Sequence, residues 1–348
     1  MASRIVGVDV GNDIIRAVEV ADADKPRPTL LRYHQTPLPE GAVQRGEVVE
    51  PNTVAEALKR LWKSGGFTSK KVVLGVGNQR VFARELTVPR APLKHIRESL
   101  PFQVQEMLPV PVADALLDFY PVAEAVTDHG PGIRGLLVAA VKEAVANKVA
   151  AAKLAGLTVV DVDLIPFAVS RVLVSRPGIR GGVVLIDIGA NTTSVVMAAD
   201  GVPQFVRIIP AGGEDATRAL QSGLGIDLAQ AQGTKQRLGL AVNPEPADHP
   251  AVEIIYRATG ELLNSLRNTV SFFANTRPDQ PIGQIVLSGG GSHLTGLPDN
   301  LSRVTGLPVS VGDALAAVKV SSKVAGGELS RDRLSISTAL GLAVGSAA

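Results

Sequence analysis

The chain contains no cysteine. Disulfides, thiolate catalysis and Cys-ligated zinc or iron–sulfur sites are therefore excluded, and a reducing compartment is allowed. Aromatic residues make up only 3% of the sequence, which argues against stacking platforms for single-stranded bases. Neither sign of charge prevails, with 35 Lys and Arg against 33 Asp and Glu. The basic residues are scattered and leave no electrostatic footprint for nucleic acid. No run approaches the roughly 20 apolar residues of a membrane span. Met1-Ala2-Ser3-Arg4 leads straight into an expected strand, so no signal peptide is expected. The five histidines show no paired metal spacing, and no Ser-His-Asp arrangement can be assembled.

What is present is a folded chain of 348 residues, 45% hydrophobic and 20% charged. That length is too great for one core and suits two lobes. The most informative features are three stretches far apart: Gly7-Val8-Asp9-Val10-Gly11, Leu185-Ile186-Asp187-Ile188-Gly189 and Leu287-Ser288-Gly289-Gly290-Gly291. The first two each end an apolar β-run with an Asp and a Gly, and the third follows one with three glycines. A tight hairpin calls for residues that accept positive φ, so Gly11 and Gly189 are expected to turn that way and to donate their amides to phosphate oxygens. Asp9 and Asp187 supply hard oxygens for Mg²⁺, through its retained waters. Gly289, Gly290 and Gly291 would let an adenine or ribose lie against bare backbone, with Ser292-His293 starting the next helix.

Asp-x-Gly after a strand is usually a plain turn, and an isolated match means little. Three in order mean more. The span from Asp9 to Asp187 leaves room for one lobe, and the roughly hundred residues from Asp187 to Gly289 for a second.

Strands are expected over 4–10, 14–20 and 29–34, followed by a helix capped by Asn52, running through Trp62 and ended by Gly65-Gly66. Further strands are expected at 72–76 and 81–88. From Pro89 prolines punctuate a helix and an extended segment, read as a small insertion. A strand at 136–141, an Ala-rich helix at 142–155 and a return segment at 161–173 complete the first half. Arg176-Pro177-Gly178 reads as the hinge. The hairpin logic repeats at 182–188 and 193–199, a helix runs over 215–222, and a helical region over 228–274 is broken at 244–250. A strand at 285–287 leads into the three glycines, and the apolar 336–348 reads as a core helix.

Taken together these residues resemble the actin-like ATPase superfamily and, within it, the PilM family of type IV pilus assembly proteins, relatives of the cell-division protein FtsA. Asp9, Gly11 and Asn12 match the first phosphate motif, and Asp187-Ile188-Gly189-Ala190-Asn191-Thr192-Thr193 the second. Leu287 to Leu297 matches the adenosine motif. Phe102 to Val122, with Pro109-Val110-Pro111 and Asp118-Phe119, resembles the subdomain particular to the PilM family. Ala155-Gly156-Leu157, Val162-Asp163 and Phe167-Ala168 continue the match. The departures are Asp13 and Ile14 where the family usually has two serines, Arg16 for a Lys, and Gln232 for the acid of Ala-Glu-x-x-Lys in Ala231-Gln232-Gly233-Thr234-Lys235. A carboxylate at Asp13 would repel a triphosphate by about 1 to 4 kcal/mol at contact distance. Arg16 keeps the charge but replaces a point ammonium by a planar fork. Gln232 offers a ribose hydroxyl a neutral, weaker acceptor.

The resemblance implies an α/β, actin-like (RNase H-like) two-lobed fold with a small α+β subdomain inserted in the first lobe. The expected division is 1–88 as first-lobe core, joined by 160–178 and a C-terminal helix near 333–348, and 89–159 as the inserted FtsA/PilM-type subdomain. Residues 179–222 and 283–332 form the second-lobe core, with 223–282 as its helical subdomain. The resemblance also implies ATP or ADP with Mg²⁺. The expected nucleotide-binding residues are Gly11, Asn12, Asp13, Arg16, Gly189, Ala190, Asn191, Thr192, Gly212, Gly213, Gln232, Lys235, Gly289, Gly290 and Gly291. Asp9 and Asp187 are the expected magnesium ligands, with Asp187 the candidate catalytic residue. Glu214 reads as a helix-start acid.

The function so implied is that of a cytoplasmic assembly protein at the inner face of the membrane, docked on the N-terminal tail of a PilN-like membrane protein. The tail would lie in a groove among residues 80–165. Other pilus motor components and self-association are further expectations, and hydrolysis, if any, would be slow. The competing readings are a nucleotide-free structural adaptor, an FtsA-like filament protein and a small-molecule kinase. The kinase would need a general-base Asp and a sugar pocket, and neither can be assigned. Residues 331–348 lack the basic and aromatic faces of an FtsA-like membrane helix, so membrane association is expected to be indirect.

Overall fold

The hairpin expected at the start of the chain is present: β1 (Arg4–Val10) runs antiparallel to β2 (Ile14–Ala21) with Asp9 opposite Arg16. The computed structural model describes residues 4–127, 130–322, 324, 329 and 332–345. β3 (Thr29–Pro37) extends the hairpin, a short one follows as β4 (Val43–Gln44) and β5 (Glu47–Val48), and α1 (Pro51–Gly65) comes next. Asn52 does not cap α1. Pro51 opens the helix, where its fixed φ and missing N–H are suited, and the Glu50 side chain instead accepts the Thr53 hydroxyl at 2.7 Å. Gly66, at φ +62°, ends the helix in the left-handed region.

β6 (Lys71–Val76) lies parallel to β1. β7 (Val81–Pro89) leaves that sheet and joins β8 (Ala115–Thr127) and β9 (Gly130–Val141) in a separate sheet of order β7-β9-β8, beside which α2 (Leu93–Gln103) packs. The expected boundary at 88 is thus too late: 81–88 pair with the inserted sheet. The boundary at 159 is too late as well. In α3 (Lys142–Leu154), Ala151 and Ala152 share the first lobe's core with Val54, Leu58 and Leu61 of α1. An alternating apolar run announces a strand without naming its partner, and small side chains let α3 sit close on α1.

β10 (Thr158–Leu164), where only a return segment was expected from 161, pairs with β6. α4 (Ile165–Ser170) then widens into a π turn over Arg171–Ser175 at the passage to the second lobe. That lobe contains β11 (Gly182–Ile188), β12 (Thr193–Ala199), β13 (Val202–Ile209), α5 (Gly213–Leu224), α6 (Leu228–Leu238), α7 (His249–Thr276), β14 (Ile282–Ser288), α8 (Leu297–Thr305) and β15 (Val309–Val311). Its sheet runs β13-β12-β11-β14-β15. Ser292-His293 do not start a helix: Gly290–His293 make a 3₁₀ turn, and α8 begins at Leu297.

The chain then returns. β16 (Lys319–Val320) adds to β3, so this part of 283–332 pairs in the first sheet, whose order is β10-β6-β1-β2-β3-β16. α9 (Ser337–Gly345) is buried all round and lies against β1. Its approach requires Gly7, where a Cβ would stand 2.0 Å from the Ala339 carbonyl oxygen. The last part of the expected 333–348 helix, 346–348, lies outside the described residues. One apolar core joins the lobes, with Val18 and Leu30 from the first, Val183, Leu185 and Val196 from the second, and Leu340 and Val344 from α9. Each such side chain contributes roughly 1.5–3 kcal/mol when fully buried. Among the described residues no helix is long and apolar enough to cross a membrane.

Candidate functional site

The β1–β2 and β11–β12 hairpins face each other from the two lobes. Each closes by the same bond: Gly11 N–H donates to the Ile14 carbonyl at 3.1 Å, and Gly189 N–H to that of Thr192 at 2.9 Å. Two expectations fail here. These amides are spent within the turns, so they are not donors for a phosphate, and neither glycine has positive φ. What calls for glycine is space, since a Cβ at either position would stand 3.0 Å from the same carbonyl oxygen that accepts the bond.

The hairpin tips touch. The Asn12 side-chain amide donates to the Asn191 side-chain oxygen. Asn12 Oδ1 accepts from Gly46 N–H at 2.9 Å, and Asn191 Nδ2 donates to Glu214 at 2.6 Å. Glu214 pairs in turn with Arg218 at 2.5 Å. Asp13 is exposed at the mouth of the cleft. Partial burial, then Glu214 and Glu40, hold its carboxyl above the usual range, against Arg218.

Behind the tips, Asp9 lies close enough to Asp187 for its charge to act on the Asp187 carboxyl. Asp9 is raised by burial, opposed by Arg16 and Lys148, and Arg16 stands 4.0 Å away. Burial pushes Asp187 up to about 6, with the Ser288 hydroxyl opposing, Asp9 adding to the rise and Arg16 countering it. Two neighbouring half-buried carboxylates are a donor set that a hard divalent cation takes. Arg16 Nε is buried without a partner among the described residues, an unspent donor on the cleft floor.

Beside this acidic pair the second lobe encloses a cavity of about 370 Å³ lined by Gly212, Gly213, Gln232, Lys235, Gly290, Gly291 and His293, within the range of small-ligand sites. Gly212 N–H is held by Asp215 at 2.9 Å and Gly213 N–H by the Gly189 carbonyl at 2.9 Å, so these glycines offer surface rather than donors. Lys235 Nζ is tied to the Gly213 carbonyl at 2.8 Å and the Thr217 hydroxyl at 2.7 Å, and that hydroxyl donates to Gln232 at 2.9 Å. Burial lowers the Lys235 pKa, with Glu214 opposing. Gly289 does not line the cavity. Its φ is +84°, and a Cβ there would lie 2.4 Å from the Ile188 carbonyl oxygen, so it serves the close approach of two backbones. Asp9 and Asp187 could hold a divalent cation, with Arg16 Nε as an unspent donor and the glycine-walled cavity beside them.

Sequence reasoning missed part of the wall. Ala216, Gln236, Ala258, Thr259 and Leu262 reach the cavity from α5, α6 and α7, and their only signal is helical periodicity, which every packed helix shares. It also missed Lys148, a buried lysine in an Ala-rich helix. The alternation of Ala144, Val145, Ala151 and Ala152 around it marks a buried face, but a lysine there reads as a surface residue.

Known proteins resemble the chain over most of its length. The family described as type IV pilus assembly protein PilM matches residues 7–347. The solved PilM-PilN type IV pilus biogenesis complex is 28% identical, with TM-score 0.86 over 100% of both chains. MreB 5 of Spiroplasma citri bound to AMPPNP is 12% identical, with TM-score 0.54 over 89% of this chain and 92% of that one, a likeness of fold alone. The cell division protein FtsA of Bacillus subtilis (strain 168) is 23% identical over 246 residues, 64% of this chain and 56% of that protein. The chain therefore spans little more than half the length of that relative. The fold is the actin-like one shared by these neighbours.

Proposed function

Because the chain belongs to the type IV pilus assembly protein PilM family, we propose that it binds Mg-ATP or Mg-ADP between its lobes and docks on the cytoplasmic N-terminal tail of a PilN-like inner-membrane protein. On this reading it works in the cytoplasm at the inner face of the membrane. The observation that carries it is the convergence of Asp9, Asp187 and the glycine-lined cavity, from three distant stretches, on one cleft. The partner follows from the similarity to a solved PilM-PilN complex over the full length of both chains.

Asp9 and Asp187 would hold the magnesium through its waters. With the Gly11 and Gly189 amides already bonded, the phosphates would take those of Asn12, Asp13, Ala190, Asn191 and Thr192, together with Arg16. Gln232, Lys235, Gly290 and Gly291 would face the nucleoside. When bound, the nucleotide supplies a removable link between the lobes. The chain's own part is to pass lobe closure to the inserted subdomain. Glu85 of β7 is paired with Arg277 beyond α7 and lies 3.7 Å from Arg134 of β9, which donates to Gln204 of β13 at 3.2 Å. A tail held among residues 80–165 would thereby sense the cleft.

A second reading, a nucleotide-free structural adaptor, is favoured by one observation: the direct Asn12–Asn191 bond already joins the hairpins. The two are separated by calorimetric titration with ATP and Mg²⁺, followed by titration of a PilN-tail peptide with and without nucleotide. Nucleotide binding that is lost in Asp187→Ala and that changes peptide affinity supports the switch. Peptide affinity indifferent to nucleotide, with no calorimetric binding, leaves the adaptor.

A further inference from the structure

Only two charged residues are buried among those described, Glu19 and Lys148. Glu19 is satisfied, accepting from Arg32 at 2.9 Å and from Thr68 N–H at 3.2 Å. Lys148 is not. Its side chain reaches from α3 to the sheet, 6% exposed, and its ammonium makes one described hydrogen bond, to the Gly75 carbonyl at 3.0 Å. An ammonium has three donors, and among the described residues none of its ion-pair partners lies within 4.0 Å. Burying a cation with so little compensation is costly.

Its position gives that cost a use. Val8 stands beside Leu74 in the parallel β1–β6 pairing, which brings Asp9 level with Gly75 at the carboxyl edge of the sheet. Ligands of parallel sheets sit at that edge. Arg16 flanks Asp9 from β2, and Lys148 flanks it from the β6 side. Glu47, whose field also reaches Lys148, is held by Arg80 at 3.0 Å.

We propose that Lys148 is a specificity residue for the terminal phosphate, the buried cation that makes the cleft prefer a nucleoside triphosphate to a diphosphate. This rests on the nucleotide reading above. The ammonium is parked on the Gly75 carbonyl, and its flexible four-carbon stem lets it swing to an anion lodged beside Asp9. The Asp9 charge meanwhile favours its ammonium form against burial. A diphosphate, one phosphoryl shorter, would leave it where it stands.

The test is calorimetric titration of the full chain with Mg-ATP and with Mg-ADP, for the native protein, Lys148→Met and Lys148→Gln, with the ligand-free Tm of each. ATP affinity is expected to fall by roughly ten- to a hundredfold, the loss of one charge-assisted hydrogen bond, while ADP affinity stays within about threefold. The ligand-free Tm of Lys148→Met is expected to hold or rise, since an undercompensated buried charge is removed. A tether role instead predicts a lower Tm and equal losses for both nucleotides, which would overturn the proposal. So would an unchanged ATP/ADP ratio in a native protein that binds both, with the nucleotide reading left standing. A native protein that binds neither nucleotide sinks both.

Discussion

In the first hairpin Asp9 faces Arg16 across the ladder, and in the second Asp187 faces Ser194. The turns are otherwise alike, each glycine amide bonded to the carbonyl three residues on. One carboxylate therefore has a guanidinium 4.0 Å away and a lysine within its field, while the other has hydroxyls opposite it in both neighbouring strands. Burial raises both carboxyls: Asp9 against the opposing charges of Arg16 and Lys148, and Asp187, opposed by the Ser288 hydroxyl and Arg16, to about 6. Equal backbone geometry thus sets one carboxylate opposite a guanidinium and the other between hydroxyl-bearing residues.

The strongest way to break this comparison is to remove each carboxylate in turn. Asp187→Ala is expected to weaken Mg-nucleotide binding by about a hundredfold, roughly 2.7 kcal/mol, measured calorimetrically. An unchanged affinity would show that the site is misassigned.

Acidity sharpens it next. The folded-state pKa of Asp187 lies above its unfolded value of 3.8, so its proton favours the fold. That contribution is fully present below 3.8 and is lost as pH rises through about 6. Ligand-free Asp187→Asn should consequently be more stable than the native protein above pH 6, by about 2 kcal/mol, with the gap closing towards pH 4. Urea midpoints at several pH values report it, and a gap independent of pH would refute the assignment. In the native protein Mg-nucleotide affinity should drop about tenfold from pH 7.5 to pH 5, because Asp187 must ionise to hold a cation.

Smaller effects are expected where the hairpins touch. A double-mutant cycle of Asn12→Ala and Asn191→Ala in the ligand-free protein should give a coupling of about 1 kcal/mol; zero coupling would mean that the tips do not bond in solution. The smallest change is Asp13→Ser. It removes an exposed carboxylate that faces Glu214 and should raise ATP affinity about threefold. A drop in affinity would instead give Asp13 a part in holding the metal.

The hairpin turns after Asp9 and Asp187 and the glycine after β14 were legible because a tight turn and a close backbone approach restrict residue choice within a few positions. So were the hairpin strands and the left-handed end of α1 at Gly66. The amides of Gly11 and Gly189 were misread because glycine signals space as well as positive φ. Only the placed Ile14 and Thr192 carbonyls distinguish the two. β7 was recognised as a strand and assigned to the wrong sheet, since apolar alternation fixes a face and leaves the partner open.

The sequence by itself determined the local chemistry: which strands end in Asp-x-Gly, which turns take glycine, and that no thiol is available as nucleophile or ligand. Tertiary structure alone decided what faces that chemistry. It put Lys148 beside Asp9, set Asn12 against Asn191, bound Gln232 and Lys235 to Thr217, and turned Gly212 and Gly213 from donors into bare wall. Backbone preferences act within a turn, whereas burial and the electric field of a neighbour are set by residues brought together from far along the chain.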